Sequence, residues 1–178
     1  AVDDASLAEY GRWDSWPRDL HAQLIEQLQA DGAKAIAFDF LFEAETEDDA
    51  QLAEAMQSAG NVVQPVLGLG DAFHSEGVMR YEGAVWPNAR LALAAAGVGH
   101  TNILHDDDGL IRQLPTVIEV DDVRYPSLAL AALQAFLGTE VGAPALPQEG
   151  RLRVLGREIP VGDKGELDIF YAGPPAQS

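Results

Sequence analysis

Cysteine is missing from the 178-residue chain, which excludes disulfide bonds, thiolate metal sites and cysteine nucleophiles. Long apolar runs are missing as well. The uncharged stretch 126–139 is shorter than the ~20 residues that a membrane-spanning helix needs. The opening residues AVDDASL have neither the basic start nor the apolar run of a signal peptide. Taken together, these absences indicate a soluble domain whose stability depends on an ordinary apolar core.

Basic residues are scarce: 11 lysines and arginines face 29 aspartates and glutamates, for a formal net charge of -18. Such a chain repels phosphate backbones and anionic headgroups, so nucleic acid and lipid surfaces are excluded as partners. No basic residue lies between Lys34 and Arg80. The acidic residues in that interval are Asp39, Glu43, Glu45, Glu47, Asp48, Asp49, Glu54, Asp71 and Glu76. They form either a solvated acidic face or a site for a cation, and both interpretations stay open.

Catalytic signatures are missing too. The chain contains no G-x-S-x-G elbow, no G-x-x-x-x-G-K loop, no G-x-G-x-x-G turn and no H-E-x-x-H pair. None of its histidines, His21, His74, His100 and His105, has a partner at the i, i+4 spacing of a helical zinc site. On one strand, His100 and His105 would lie roughly 16 Å apart. We therefore predict no enzyme activity, no cofactor and no metal site for the chain itself.

Hydrophobic periodicity in the first part of the chain predicts alternating strands and helices. A strand ends at Ala1-Val2, and because a domain rarely begins inside a strand, we expect further sequence upstream. The predicted elements that follow are a helix from Pro17 to Gly32, a doubly buried strand at 33–40, a helix that ends at Gly60 and a strand at 61–67. This alternation is typical of a parallel sheet that is covered by helices.

The second part of the chain has a different rhythm. Residues 68–82 are predicted to form a loop or an irregular hairpin, and 87–96 a helix of small residues. Two apolar runs, 97–104 and 111–120, flank an Asp-Gly turn and so predict a hairpin. Further predicted elements are a turn at 121–122, a helix at 126–137, a linker at 138–150 and short strands at 151–155, 158–161 and 167–171. The fold class is therefore mixed α/β (α+β): a single domain whose mixed sheet has parallel N-terminal strands, antiparallel C-terminal hairpins and helices packed on it.

Polar residues at the predicted strand ends form the first candidate site. If Ala1-Val2 and 33–40 are parallel neighbours, Asp3 and Asp39 lie at their carboxyl ends, where open α/β sheets bind ligands. Arg18, at the start of the intervening helix, could face the same crevice. Clustered carboxylates shift one another's pKa and bind cations. The alternative is that these acids cap helices and accept hydrogen bonds from loop amides.

The turn around Asp106 and Asp108 forms the second candidate site. Its D-D-D-G sequence resembles the start of a calcium loop, but the twelfth residue from Asp106 is Val117 and not the required glutamate. A hairpin turn whose aspartates bond their own backbone is the better interpretation. Arg112 is expected to pair with Asp106 or Asp108 as a structural ion pair. These three residues are also kept as ligand-binding candidates.

Several segments, in their order along the chain, resemble the type-2 CHASE domain, a sensory module named for its association with cyclases and histidine kinases. They are VDDASLAEYGRWDSWPRDLHAQLIEQL, GAKAIAFDFLF, DDAQLAEAM, GNVVQPV, GVGHTNILHDDDGLIRQLP and YPSLALAAL. The resemblance covers almost the whole chain. It implies that 1–178 is one extracytoplasmic sensory domain, part of a larger bacterial membrane protein with an N-terminal anchor and further spans. The polar positions that match are Asp3, Arg18, Asp39, His100, Asn102, Asp106, Asp108 and Arg112.

The resemblance also implies the function. The chain would sense a small molecule, an ion or a protein and pass the signal to a histidine kinase, a nucleotide cyclase or a Ser/Thr kinase, with a homodimer as an expected assembly. Two alternatives from other classes stay open. One is a metal-assisted hydrolase that uses Asp3, Asp39 and Asp108, and the other is a pure dimerisation module.

Overall fold

The computed structural model describes residues 4–12, 15–106, 108–171 and 173. The helices of this described part are α1 (Asp4–Tyr10), α2 (Arg18–Ala30), α3 (Asp49–Ala59), α4 (Ala89–Ala94) and α5 (Leu128–Phe136). Its strands are β1 (Ile36–Ala37), β2 (Val62–Leu69), β3 (Phe73–Ser75), β4 (Val78–Tyr81), β5 (Gly83–Val85), β6 (Gly97–His100), β7 (Gln113–Pro115), β8 (Val117–Val120), β9 (Val123–Pro126), β10 (Arg151–Val154), β11 (Arg157–Pro160) and β12 (Glu166–Asp168). Parallel and antiparallel strands are both present, which confirms the mixed α/β class.

The main sheet is built around β2. Strands β1 and β6 flank it in parallel, with Ile36 opposite Val62 and His100 opposite Val66. The carboxyl-terminal part of β2 pairs with β5 in the antiparallel direction. Two of the predicted parallel strands, at 33–40 and 61–67, are thus present as β1 and β2, and β1 lies at the edge of the sheet among the described residues. The strand end predicted at Ala1-Val2 lies outside the described residues.

Helices cover both faces of the main sheet. On one face, α2, α3 and α4 pack against β1 and β2 through a buried cluster that includes Ile25, Leu52, Met56, Phe38 and Val62. On the other face, Ala131 and Ala135 of α5 pack against Val63 of β2. The helix lies so close to β6 that a Cβ added at Gly99 would be 2.7 Å from the Leu128 Cα. A glycine is therefore required at that position for α5 to dock.

Two of the helix ends follow the predicted chemistry, and two more are capped by side chains. Helix α2 begins directly after Pro17, whose fixed φ suits a helix start. Helix α3 ends at Ala59, and Gly60 adopts the left-handed conformation, with φ 66°, that terminates helices. The side chains of Asn88 and Ser127 cap α4 and α5 by accepting a hydrogen bond from the amide three residues on.

The hairpin predicted for 97–104 and 111–120 is wrong, although its turn forms. The Gly109 amide bonds the Asp106 carbonyl at 2.8 Å, but only Leu104 and Gln113 make an antiparallel bridge between the two arms. The arms pair elsewhere: β6 joins β2, β7 joins β12, and β8 joins β4 and β9. Each arm therefore pairs with strands from other parts of the chain instead of with the other arm.

A second sheet has the strand order β3-β4-β8-β9. Its β3-β4 hairpin lies within the predicted loop or irregular hairpin at 68–82. The turn predicted at Asp121-Asp122 joins β8 to β9, and both residues have positive φ, 50° and 61°, as tight hairpin turns require. The sequence does not predict strand β9, because the turn at 121–122 is expected to lead directly into the helix at 126–137. The predicted hairpin at 151–161 is confirmed by β10 and β11.

Strand β1 is much shorter than its prediction of a doubly buried strand at 33–40. Only Ile36 and Ala37 pair with β2, and Ala37 and Asp39 are exposed. The residues that follow β1 instead bring Phe38, Phe40 and Phe42 together, with ring centroids 4.9–5.4 Å apart. Among the described residues β2 is the one strand that pairs with β1, so the other edge of β1 carries no strand there.

Candidate functional site

A cavity of about 430 Å³ lies at the carboxyl ends of β1 and β6, against the first turn of α5; we call it the strand-end cavity. Asp39 lies two residues beyond β1, and Thr101 directly follows β6; both line the cavity. Leu128 and Ala129 of α5 form the opposite wall. Open α/β sheets bind ligands at this end of their strands, and the volume is in the range of small-molecule sites. A cavity therefore lies beside Asp39, but it is formed by β1, β6 and α5 and not by β1 and the strand predicted at Ala1-Val2, which lies outside the described residues. Ligand binding beside Asp39 stays a prediction.

The strand-end cavity combines one carboxylate with an apolar wall. Among the described residues that line it, Asp39 is the only charged one. Ile103, Leu114 and Leu128 supply aliphatic surface, and Thr101 supplies a hydroxyl. This lining suits a molecule with an ammonium or other hydrogen-bond donor group attached to an apolar body.

His100 borders the same cavity but has a different environment. Because Gly99 faces α5, the alternation of β6 directs the His100 ring to the opposite face of the sheet. The residue is 1% exposed, and neither ring nitrogen has a hydrogen-bond partner among the described residues. Burial lowers the pKa of His100 to about 3, against a smaller opposing effect of the Pro115 carbonyl. The imidazole is therefore neutral at physiological pH.

Arg18 does not join Asp39 in the strand-end cavity. Its Nε donates to Asp49 Oδ1 at 3.0 Å, and its Nη2 donates to the Ala44 carbonyl at 3.2 Å. The guanidinium carbon lies 4.2 Å from the centroid of the Phe42 ring. Arg18 thus holds the 42–49 loop against α2.

Asp49 and Asn88, which the sequence does not single out, complete this buried network. Asp49 is 2% exposed and accepts hydrogen bonds from the Thr46 amide at 2.8 Å and from Asn88 Nδ2 at 2.9 Å. The backbone amide of Asn88 donates to the Phe42 carbonyl at 2.8 Å. An aspartate in a first helical turn and an asparagine before a helix were the available signals. Those signals indicate caps, not a contact across 39 residues.

The turn at 106–109 brings Asp106, Asp108 and Arg112 together as predicted. Arg112 binds Asp108 with two hydrogen bonds of 3.0 and 2.9 Å and also donates to Asp106. Arg112 lowers the pKa of the Asp108 carboxyl, and the two aspartates raise the pKa of Arg112. The cluster is largely exposed and, with His105 and Lys164, lines a separate cavity of about 510 Å³. Its charges satisfy one another, as in a structural ion pair.

The metal-assisted hydrolase is not supported by these positions. Asp3 lies outside the described residues, and Asp39 and Asp108 line two different cavities. Within the described part of the chain, no group of three or more histidines, aspartates or glutamates could hold a metal ion.

The chain is thus a mixed α/β domain with a ligand-sized cavity at the carboxyl ends of its parallel strands. A family model described as the CHASE2 domain matches residues 1–177, and the chain belongs to this family. CHASE2 is a family of extracellular sensory, non-catalytic domains of signalling proteins. No curated protein and no solved structure matches the chain. In the part that the structure describes, no helix is long and apolar enough to cross a membrane.

Proposed function

We propose that this CHASE2 domain is the extracytoplasmic ligand-sensing part of a membrane-bound signal-transduction protein, and that its signal is a small molecule bound in the strand-end cavity beside Asp39. One observation carries this proposal: the cavity lies between the carboxyl ends of β1 and β6 and the start of α5. This is the position at which α/β sheets hold ligands.

The position of the cavity supports a mechanism for signalling. Its walls belong to two separate parts of the core, the main sheet and α5, so a ligand that contacts both favours one spacing between them. A complete switch from 1:99 to 99:1 requires ~5.5 kcal/mol of differential affinity between the two states. The output is a histidine kinase, a nucleotide cyclase or a Ser/Thr kinase on the other side of the membrane.

A thermal-shift screen of small amines, amino acids and other metabolites tests the proposal. A ligand at 100 times its dissociation constant adds about 2.7 kcal/mol of stability, which is a readily measured rise in melting temperature. For each hit, calorimetry on Asp39→Asn should show weaker binding, because the variant removes the only charge in the cavity while keeping its shape.

Glu54→Gln is the matched control, since it makes the same carboxylate-to-amide change at an exposed position of α3. It should bind every hit as the wild type does. If the affinity of every hit is the same in Asp39→Asn and the wild type, the signal does not bind beside Asp39 in this cavity. A signal response of the complete protein that survives Asp39→Asn unchanged would lead to the same conclusion.

A further inference from the structure

A second, larger cavity lies on the other side of β1, between β1, α1 and α2. Its volume is about 600 Å³, within the range of small-molecule sites. We call it the aromatic cavity because five rings line it, those of Tyr10, Trp16, His21, Phe38 and Phe40. Neighbouring rings meet at angles: the Tyr10 and Trp16 centroids are 5.6 Å apart at 65°, and those of Phe38 and Phe40 are 5.0 Å apart at 67°.

None of the described residues that line the aromatic cavity carries a charge at neutral pH. The aliphatic residues Leu20, Leu24 and Leu28 complete the wall, and the polar ones are neutral. His21 is 3% exposed; burial first, and then the nearby Arg18, lower its pKa to about 4, against the opposing effect of Asp19. Although the chain has a net charge of -18, no carboxylate is found among the described residues that line this cavity. The cavity would leave an ionic ligand without a counter-charge, which is unfavourable in an apolar site.

We propose that the aromatic cavity binds an uncharged, largely aromatic small molecule. Rings on several sides allow the edge-to-face and offset contacts that aromatic pairs prefer. The exposed amide of Gln23, which also lines the cavity, is placed to bond one hydroxyl or carbonyl at the solvent-facing end of such a ligand. This site is distinct from the strand-end cavity, which has a carboxylate, and it gives the domain a second input.

Calorimetric titration with three naphthalene probes of matched size tests the ligand class. The probes are 2-naphthol, which is uncharged at neutral pH, the anion 2-naphthoate and the cation 2-naphthylmethylammonium. We expect saturable binding of 2-naphthol at one site, with a change in the tryptophan fluorescence of the protein, to which Trp16 contributes. The two ions should bind roughly tenfold more weakly or worse, because each must bury a charge without a partner. No saturable binding of 2-naphthol, or equal binding of all three probes, overturns the proposal.

Two variants and two controls place the site. Leu24→Glu introduces a charge into the wall at a position that is already 47% exposed, and it should abolish 2-naphthol binding. Tyr10→Glu makes the same test from α1, and it decides the outcome if the first variant unfolds. Leu133→Glu is the matched control on α5, where the leucine is 41% exposed and lines neither cavity. Wild-type affinity in both glutamate variants of the cavity would overturn the assignment.

Asp39→Asn separates this proposal from that of the strand-end cavity. It should leave the affinity for 2-naphthol unchanged and lower the affinity for ligands of the strand-end cavity. A loss of 2-naphthol binding in Asp39→Asn would place the probe in the strand-end cavity and overturn the aromatic site. If the screen finds no ligand for the strand-end cavity, the proposed function fails, while the 2-naphthol titration still decides the proposal for the aromatic cavity.

Discussion

Two arginine–carboxylate clusters in this domain share their chemistry and differ in their surroundings. Arg18 and Asp49 meet between α2 and α3, where their side chains are 15% and 3% exposed. Arg112 meets Asp106 and Asp108 on a surface turn, where the arginine is 50% exposed. The surface cluster has the more complete bidentate geometry, yet water can replace each of its bonds. Burial, and not the number of ion-pair contacts, therefore decides which cluster supports the fold.

The largest expected effect comes from Asp49→Ala. It removes the buried carboxylate that accepts hydrogen bonds from the Arg18 guanidinium and the Asn88 side-chain amide, and it should lower the free energy of unfolding by about 3–5 kcal/mol. Urea denaturation at neutral pH measures the loss. Asp48→Ala, one residue away and exposed, is the control and should change stability little. Equal losses in the two variants would remove the distinction between the clusters.

Acidification extends the comparison to the histidines. Burial lowers the pKa of His100 in the folded state to about 3, from an ordinary value of 6.5. Between these two values the histidine is protonated in the unfolded chain and neutral in the folded one, so protons favour unfolding. Stability therefore falls as the pH falls, by about 3 kcal/mol between pH 6.5 and 4, and His21 adds to the loss. When the unfolding free energy from denaturation curves is plotted against pH, its slope across this range should be smaller in His100→Gln. Exposed His105→Gln should keep the wild-type slope, and a wild-type slope in His100→Gln would contradict the assignment.

A smaller difference in unfolding free energy is expected between two helix caps: Ser127, which only caps α5, and Asn88, which caps α4 and also belongs to the buried network. Asn88→Ala removes the α4 cap together with the bond to Asp49, and should cost about 2–3 kcal/mol. Ser127→Ala removes only the cap of α5, for about 1 kcal/mol. Thermal and urea denaturation of both variants measures the difference. If the serine variant proves the less stable, the Asn88–Asp49 bond contributes little.

The smallest effect belongs to Arg112→Ala. Although it breaks three hydrogen bonds, the side chains are exposed and the turn keeps its backbone bond between Asp106 and Gly109. We expect the unfolding free energy at physiological salt to change by no more than the error of the measurement. A clear loss that disappears in high salt would show that the turn cluster does support the fold.

The sequence predicts local structure here better than it predicts contacts. Pro17, Gly60 and the Asp121-Asp122 turn carry their conformational preferences in the residue itself, and each takes the predicted role. The hairpin at 106–109 fails because a local Asp-Gly signal says nothing of the strands that compete for its arms. The position of Asp39 followed from its place after a strand. The partner of Arg18 did not, since packing of α2 on α3 selects Asp49 from a run of acids.

Ala37 lines both the strand-end cavity and the aromatic cavity, so the two share a wall that is a two-residue strand. In the part of the chain that the structure describes, that strand pairs with β2 on one side only. An occupant that displaces this wall from one side alters the free energy of binding on the other. Thermodynamic reciprocity makes the coupling equal in both directions: if the first ligand changes the affinity for the second by some factor, the second changes the affinity for the first by the same factor. If both proposed sites bind ligands, the domain reports a combination of two chemical inputs and not each one separately.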